Sequence, residues 1–192
     1  MSSNDLDALL RVTSSTYRGD TPPDIAFGTY DGAVGRLVLA VTGKGVAACS
    51  FEAENNVFEL VSRHVGSFIG PDARRLDPVR RELDAYFSGR LRAFTLPVDL
   101  ALATPFARTV LQKTMAVPYG TTTTLEEIGQ SIGRPRALRA IGNALSSNPV
   151  CVIVPCHRVV REDGALGDYA GGAVAKQHLL NVEQRAGAAP GR

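Results

Sequence analysis

The residues best able to do chemistry are Cys156, His157 and Arg158. They follow Pro155 at the end of an apolar run, Val150 to Val154, which reads as a strand. Proline fixes one backbone dihedral where the run ends, and a thiol at such a point can be presented at the edge of a cleft. Cysteine becomes a nucleophile at neutral pH when a base or a cation assists it, and here an imidazole and a guanidinium are its neighbours in sequence. A buried, inert thiol is the competing reading, and it suits Cys49 and Cys151, which sit inside apolar runs. Glu183 raises the stakes for Cys156. A helix is expected over Ala173–Glu183 with Ala175, Leu179 and Val182 inward, and Glu183 lies four residues from Leu179, on or beside that face. A buried carboxylate without a partner costs several kcal/mol, and a helix C-terminus disfavours it further. His157 would satisfy it. The result is a Cys–His–Glu relay, in which the carboxylate orients the imidazole and the imidazole takes the thiol proton. Periodicity alone equally allows Glu183 on the surface. A Cys–His hydrolase is a rival chemistry, but it requires an oxyanion hole and a nucleophile at a helix start.

The elements around these residues are mostly helical from Thr104 onward. Phe106, Val110, Thr114 and Val117 mark one side of a helix that stops at Pro118-Tyr119-Gly120. Thr124 and Glu127 form a capping box, in which each side chain satisfies an orphan amide. Leu125, Ile128 and Ile132 give that helix its apolar stripe. After a turn at Gly133, Pro135 opens a second helix with Ala137, Ile141, Ala144 and Leu145 inward. Helix, short glycine turn and helix make a helix-turn-helix pattern. Arg136, Arg139 and Asn143 share the outer stripe of the second helix, and such side chains read phosphates and grooves. The same stripe is also what an ordinary solvated helix face looks like. Asp163-Gly164 is a tight turn. The glycine-rich stretch Leu166–Gly172 could form a wall opposite Cys156.

Upstream, Gly35–Val41 and Val46–Phe51 read as a hairpin around Gly43-Lys44-Gly45, and Val57–Val65 as a helix. A stronger helix is expected with Asp77 as N-cap and Pro78 in its first turn. Val79, Leu83 and Phe87 would face inward, with Gly89 beyond the end. Phe94–Leu100 has strand-like alternation. The expected organisation is a tail over 1–24, a small α+β domain over 25–100, a mainly helical domain over 101–186, and a tail over 187–192.

Composition narrows the classes. The 192 residues are 44% hydrophobic and carry a net charge of only +2, so any basic footprint must be local. An odd, sparse set of three cysteines argues against a disulfide scaffold. With no CxxC or HxxxH pair, no metal site is expected. No apolar run reaches membrane-span length, and Met1–Asp7 is unlike a signal peptide, so a cytoplasmic protein with no membrane partner is expected.

Pro155-Cys156-His157-Arg158-Val159, preceded by Asn148-Pro149 and followed by Tyr169-Ala170-Gly171-Gly172, resembles the signature of the 6-O-alkylguanine-DNA alkyltransferases. These are also called methylated-DNA–protein-cysteine methyltransferases. The resemblance runs from about Phe27 and includes Asp84–Gly89 and Val117–Gly120. It implies an α+β fold: an N-terminal ribonuclease-H-like α/β domain, then a winged helix-turn-helix domain. It further implies stoichiometric transfer of an alkyl group from 6-O-alkylguanine in double-stranded DNA to Cys156, after the nucleotide is flipped from the minor groove. Repair of 4-O-alkylthymine and the range of alkyl groups accepted stay open. By position, His157 matches the water-mediated base, Glu183 its orienting carboxylate, and Asn148 the brace of the active-site turn. Arg139 matches the arginine that fills the hole left in the base stack. Val159, Arg158, Tyr169 and Ala170 fall around the guanine pocket; Cys151 and Lys176 stand beside it. No cofactor is implied, and a monomer is expected. Two departures stand out. Leu125 occupies the place of a tyrosine that contacts phosphate and helps protonate the leaving base, and Ser146 replaces a phosphate-binding arginine found in some members. A slow but competent enzyme is the expectation. Its alternatives are a lesion-binding relative without transfer activity, in which the nucleophile is usually replaced by Trp, and a dimeric helix-turn-helix regulator.

Overall fold

The computed structural model describes residues 22–188, so the expected tails fall almost wholly outside it. The N-terminal part is a four-stranded sheet in the order β3-β2-β1-β4, with β1 Ile25–Gly32, β2 Gly35–Thr42, β3 Gly45–Ser50 and β4 Ile69–Gly70. The expected hairpin is β2–β3. The central strand β1 and the two-residue β4, which pairs parallel to β1, carry weaker sequence signals and were not foreseen.

Side chains alternate across the sheet with the two-residue period of a strand. Val38 and Ala40 join Val57 and Val61 of α1 (Glu54–His64) in a small core on one face. Leu37, Leu39 and Val41 turn to the other face. There they meet Leu76, Val79, Leu83 and Tyr86 of α2 (Ala73–Phe87), in a core that continues into the C-terminal helices.

Helix α2 departs from expectation. It begins four residues earlier than Asp77, with the Asp72 side chain accepting from the Arg74 amide, and Pro78 lies inside it. The longer helix turns Tyr86, rather than Phe87, fully inward. Residues 94–100 do not form a strand: a single parallel bridge, Val46 to Val98, ties them to β3. Pro97 lacks the amide that a continued ladder would need.

Helix α3 (Pro105–Met115) leads to the helix-turn-helix pair, α4 (Leu125–Ser131) and α5 (Leu138–Ser146). The capping box of α4 forms as read. Gly129 lets the pair close tightly: a Cβ there would lie 3.1 Å from the Arg134 carbonyl oxygen and 3.2 Å from Ile141, so its neighbours would have to give by a few tenths of an ångström. Helix α5 starts at Leu138, not Pro135, and Arg134–Ala137 is a turn. The Ala137 amide closes that turn on the Arg134 carbonyl (3.0 Å), so the residues from Pro135 to Ala137 are taken up before the helix begins. The last helix, α6 (Gly172–Ala188), runs past the expected end. No helix among the described residues is long and apolar enough to cross a membrane.

Candidate active site

The run Val150–Val154 is a tight turn, not the expected strand. Val154 donates its amide to the Val150 carbonyl (2.9 Å), and Val152 has φ 72°. A β-branched residue rarely adopts that conformation, so the turn is strained. It is held from two sides. The Cys49 amide on β3 bonds the Pro149 carbonyl (2.9 Å). The Asn148 side chain accepts from the Val150 amide (3.0 Å) and donates to the Val154 carbonyl (3.1 Å). The same Asn148 amide reaches Cys156 Sγ at 3.1 Å.

Cys156 opens a single 3-10 turn, Cys156–Arg158, and is 6% exposed at the floor of a cleft of about 700 Å³. The environment separates the chain's three free thiols. Burial pushes the Cys49 thiol up to about 12. Cys151 and Cys156 are neighbours, and their interaction raises the former and lowers the latter. Burial opposes ionisation of Cys156, while the Asn148 bond and the nearby Lys176 charge favour it; the net direction is down. Cys151 lies behind the thiol, donating to the Asn148 carbonyl (3.4 Å), and does not line the cleft.

Behind Cys156, His157 and Glu183 are both buried, with His157 Nε2 2.8 Å from Glu183 Oε1. Glu183 extends inward from the body of α6. It also accepts from Tyr86 Oη (2.6 Å), Arg158 Nε (3.1 Å to each oxygen), Arg158 Nη2 (3.0 Å) and the Gly120 amide (2.9 Å). Burial works against the charge, but the bonds from His157 and Arg158 outweigh it and hold the carboxyl at about 2. An ionised carboxylate can only accept, so Nε2 carries the imidazole proton and Nδ1 is the basic nitrogen. Among the described residues, no group bonds Nδ1. Burial lowers the His157 pKa despite Glu183, which keeps the ring neutral near pH 7.

Arg158 is committed to this hub. Its remaining Nη1 donates to the Val117 carbonyl (2.6 Å), and its guanidinium lies over the Tyr119 ring. The sequence placed it among the residues that meet substrate; in the structure its donors go to Glu183 and the Val117 carbonyl.

The outer wall is the segment from Val159 to Tyr169. Lys176 reaches up from α6 and donates to the carbonyls of Val159 (2.6 Å), Leu166 and Asp168 (3.4 Å), so one buried cation pins the segment at three points. The Val160 amide bonds Thr123 (2.8 Å), joining the wall to the start of α4. Tyr169 packs edge-on against Phe51 and His157, and its buried hydroxyl meets no partner among the described residues. Gly171 allows that packing, because a Cβ there would lie 2.6 Å from the Phe51 ring. Gly171→Ala is therefore expected to cost about 1–3 kcal/mol. Differential scanning calorimetry would show this as a fall in Tm of roughly 2–12 °C.

Leu125, Arg139, Asn143, Val159 and Tyr169 all line the cleft, as does Ser146. Arg136 precedes α5, is exposed and does not line it; the three-residue stripe is thus reduced to Arg139 and Asn143. Ala170 is exposed beside the wall. Tyr86 and Gly120 are the site residues that sequence reasoning missed. The available signal for Tyr86 was a tyrosine on the inward face of α2, where a buried hydroxyl needs a partner.

Two family models match the chain. Residues 25–100 match the ribonuclease-like domain of 6-O-methylguanine DNA methyltransferase, and residues 105–185 match its DNA binding domain. The Methanosarcina barkeri methylated-DNA–protein-cysteine methyltransferase is 38% identical over 154 residues, covering 79% of this chain and 92% of that protein.

The chain belongs to the 6-O-methylguanine DNA methyltransferase family.

Another methyltransferase of the family, from Mycobacterium leprae, is 37% identical over 156 residues, covering 81% of this chain and 90% of its own. Among solved structures, Mycobacterium tuberculosis OGT in complex with DNA superposes with a TM-score of 0.72 at 33% identity, over 84% of this chain and 94% of that one. The family's architecture is the one described above: an α+β protein with an N-terminal ribonuclease-like domain on a mixed sheet, followed by a helical DNA-binding domain.

Proposed function

We propose that this methyltransferase repairs 6-O-alkylguanine in double-stranded DNA by moving the alkyl group irreversibly onto Cys156. The observation that carries the reading is the environment of one sulfur. Cys156 lies on the floor of the cleft with its thiol pKa lowered, and a neutral imidazole fixed by a buried carboxylate stands behind it.

The thiol proton passes to His157 Nδ1 through the water that the family resemblance implies. The thiolate attacks the alkyl carbon, the carbon–oxygen bond breaks, and guanine leaves with the electron pair and takes up a proton. The new thioether has no acyl or ester character for water to attack, so the protein acts once. The alkyl carbon is itself the electrophile, and the scheme routes no step through a cofactor. Arg139 and Asn143 of α5 line the cleft; in this reading α5 is the recognition helix that meets the minor groove, and Arg139 fills the space that the flipped nucleotide leaves.

Incubation with an oligonucleotide carrying 6-O-methylguanine tests the proposal. Intact-mass and peptide mapping should find one added methylene on Cys156 and one equivalent of repaired guanine. Binding without that adduct would instead make the chain a lesion-binding relative, and equal affinity for undamaged DNA of one preferred sequence would make it a regulator.

Leu125 lines the cleft from the first turn of α4. It cannot donate the hydrogen bond that the family's tyrosine supplies, and such a bond to a charged group is worth about 1.5–3 kcal/mol. Leu125→Tyr is accordingly expected to raise the single-turnover rate roughly ten- to a hundredfold. An unchanged rate would mean that another group already serves the leaving base.

A further inference from the structure

Tyr86 belongs to α2 of the N-terminal domain, yet its hydroxyl lies inside the relay of the C-terminal domain. It is 2.6 Å from Glu183 Oε1 and 3.2 Å from His157 Nε2. We propose that Tyr86 is a positioning residue that sets the working pH of the relay: its hydroxyl shares Glu183 Oε1 with His157 and so keeps the imidazole a free base. The inference rests on the alkyl-transfer reading above and adds to it that the N-terminal domain completes the active site.

The directions of the hydrogen bonds follow from the groups. Glu183 is ionised and only accepts, so the tyrosine proton points at Oε1. Burial, with Glu183 adding to it, raises the Tyr86 pKa, so the hydroxyl stays a donor throughout the physiological range. The His157 Nε2 proton points at the same oxygen from 2.8 Å, and the tyrosine oxygen can share it from 3.2 Å. These two contacts act oppositely on the ring. The donation to Oε1 draws electron density from the carboxylate and weakens its hold on an imidazolium, while the acceptance from Nε2 strengthens that hold. The first contact is shorter by 0.6 Å and involves an ionised acceptor, so it dominates. Tyr86 therefore makes His157 harder to protonate, in the same direction as burial.

Other charged and titratable groups also face the ring. Glu183 and Lys176 approach from α6, Arg158 and Cys156 flank it in the 3-10 turn, and Tyr169 packs against it from the wall. Of these only Glu183 bonds the Tyr86 hydroxyl, so Tyr86→Phe acts on the ring through that carboxylate and leaves the bonds of Lys176 and Arg158 in place. The aromatic ring itself is held independently by Phe87, Phe94 and Tyr119. Tyr86→Phe thus removes the hydroxyl and keeps the packing.

The test uses the full-length protein, with single-turnover transfer from the methylated oligonucleotide between pH 5 and 8 and ¹⁵N NMR of the histidine rings over the same range. In Tyr86→Phe, the acid limb of the rate and the His157 titration should both move up by roughly half to one pH unit, as expected for losing one hydrogen bond. The rate near pH 6 should fall about three- to tenfold. Phe94→Leu loosens the packing of the ring but keeps the hydroxyl, so it should lower Tm and leave the pH profile in place. A Tyr86→Phe profile and titration that superpose on the unaltered protein would overturn the inference, whatever happens to its Tm. If the unaltered protein forms no Cys156 adduct, the alkyl-transfer reading fails, while the NMR titration still decides whether Tyr86 tunes the ring.

Discussion

Cys156→Ser should form no detectable adduct with methylated DNA while retaining affinity for it. A hydroxyl ionises far less readily than a thiol, and the site lowers the thiol pKa by only a few hydrogen bonds and one neighbouring cation. Those contacts cannot make an alkoxide near pH 7. The sulfur sits at the cleft floor and is almost fully covered, so its loss removes little of the surface that DNA would touch. Binding, measured by fluorescence anisotropy at fixed salt, should change by less than about threefold. The alternative acceptors are poor. Cys49 is buried with its thiol pushed up to about 12, and Cys151 is raised by its contact with Cys156 and by burial. Transfer that survived in the serine variant would therefore place the nucleophile elsewhere and remove the basis of the proposed mechanism.

Glu183→Gln should harm stability and rate together. The neutral amide leaves Arg158 buried without its counter-charge, and breaking a buried pair in this way costs about 3–5 kcal/mol. For a chain of this size that is a fall in Tm of roughly 6–20 °C. The pH dependence should change as well. His157 is depressed from its ordinary value of 6.5, so the unfolded chain binds its proton first, and stability declines as pH drops below 6.5. Glu183 is depressed from 4.5 to about 2, so its contribution is full above 4.5 and is lost as pH falls toward 2. That second loss amounts to about 3 kcal/mol, from 1.36 kcal/mol per unit. Urea titrations from pH 7 to pH 3 should show both declines in the unaltered protein and only the first in Glu183→Gln. Equal acid sensitivity would mean that the carboxylate is not the paired group described here.

The sequence alone was enough for features that depend on neighbours within a few residues. The β2–β3 hairpin, the capping box of α4, the inward stripe of α6 and the reactive order Pro155-Cys156-His157 are all local patterns. In each, a side-chain period or a turn residue acts over a distance the chain itself dictates. The same locality misled where a local signal had a stronger competitor. Asp77-Pro78 looks like a helix start, but Asp72 caps the helix earlier. The apolar Val150–Val154 looks like a strand, but Asn148 and β3 fold it into a strained turn.

What only the tertiary structure decided is the meeting of residues far apart in the chain. Glu183 finds Arg158 25 residues away, Gly120 63 residues away and Tyr86 97 residues away. No periodicity within α2 or α6 encodes that pairing. It arises because the two helices pack into one continuous core, where a buried carboxylate must collect every donor within reach. The sequence pointed to Cys156 as the proposed nucleophile; the fold brought Glu183 and its donors together beside it.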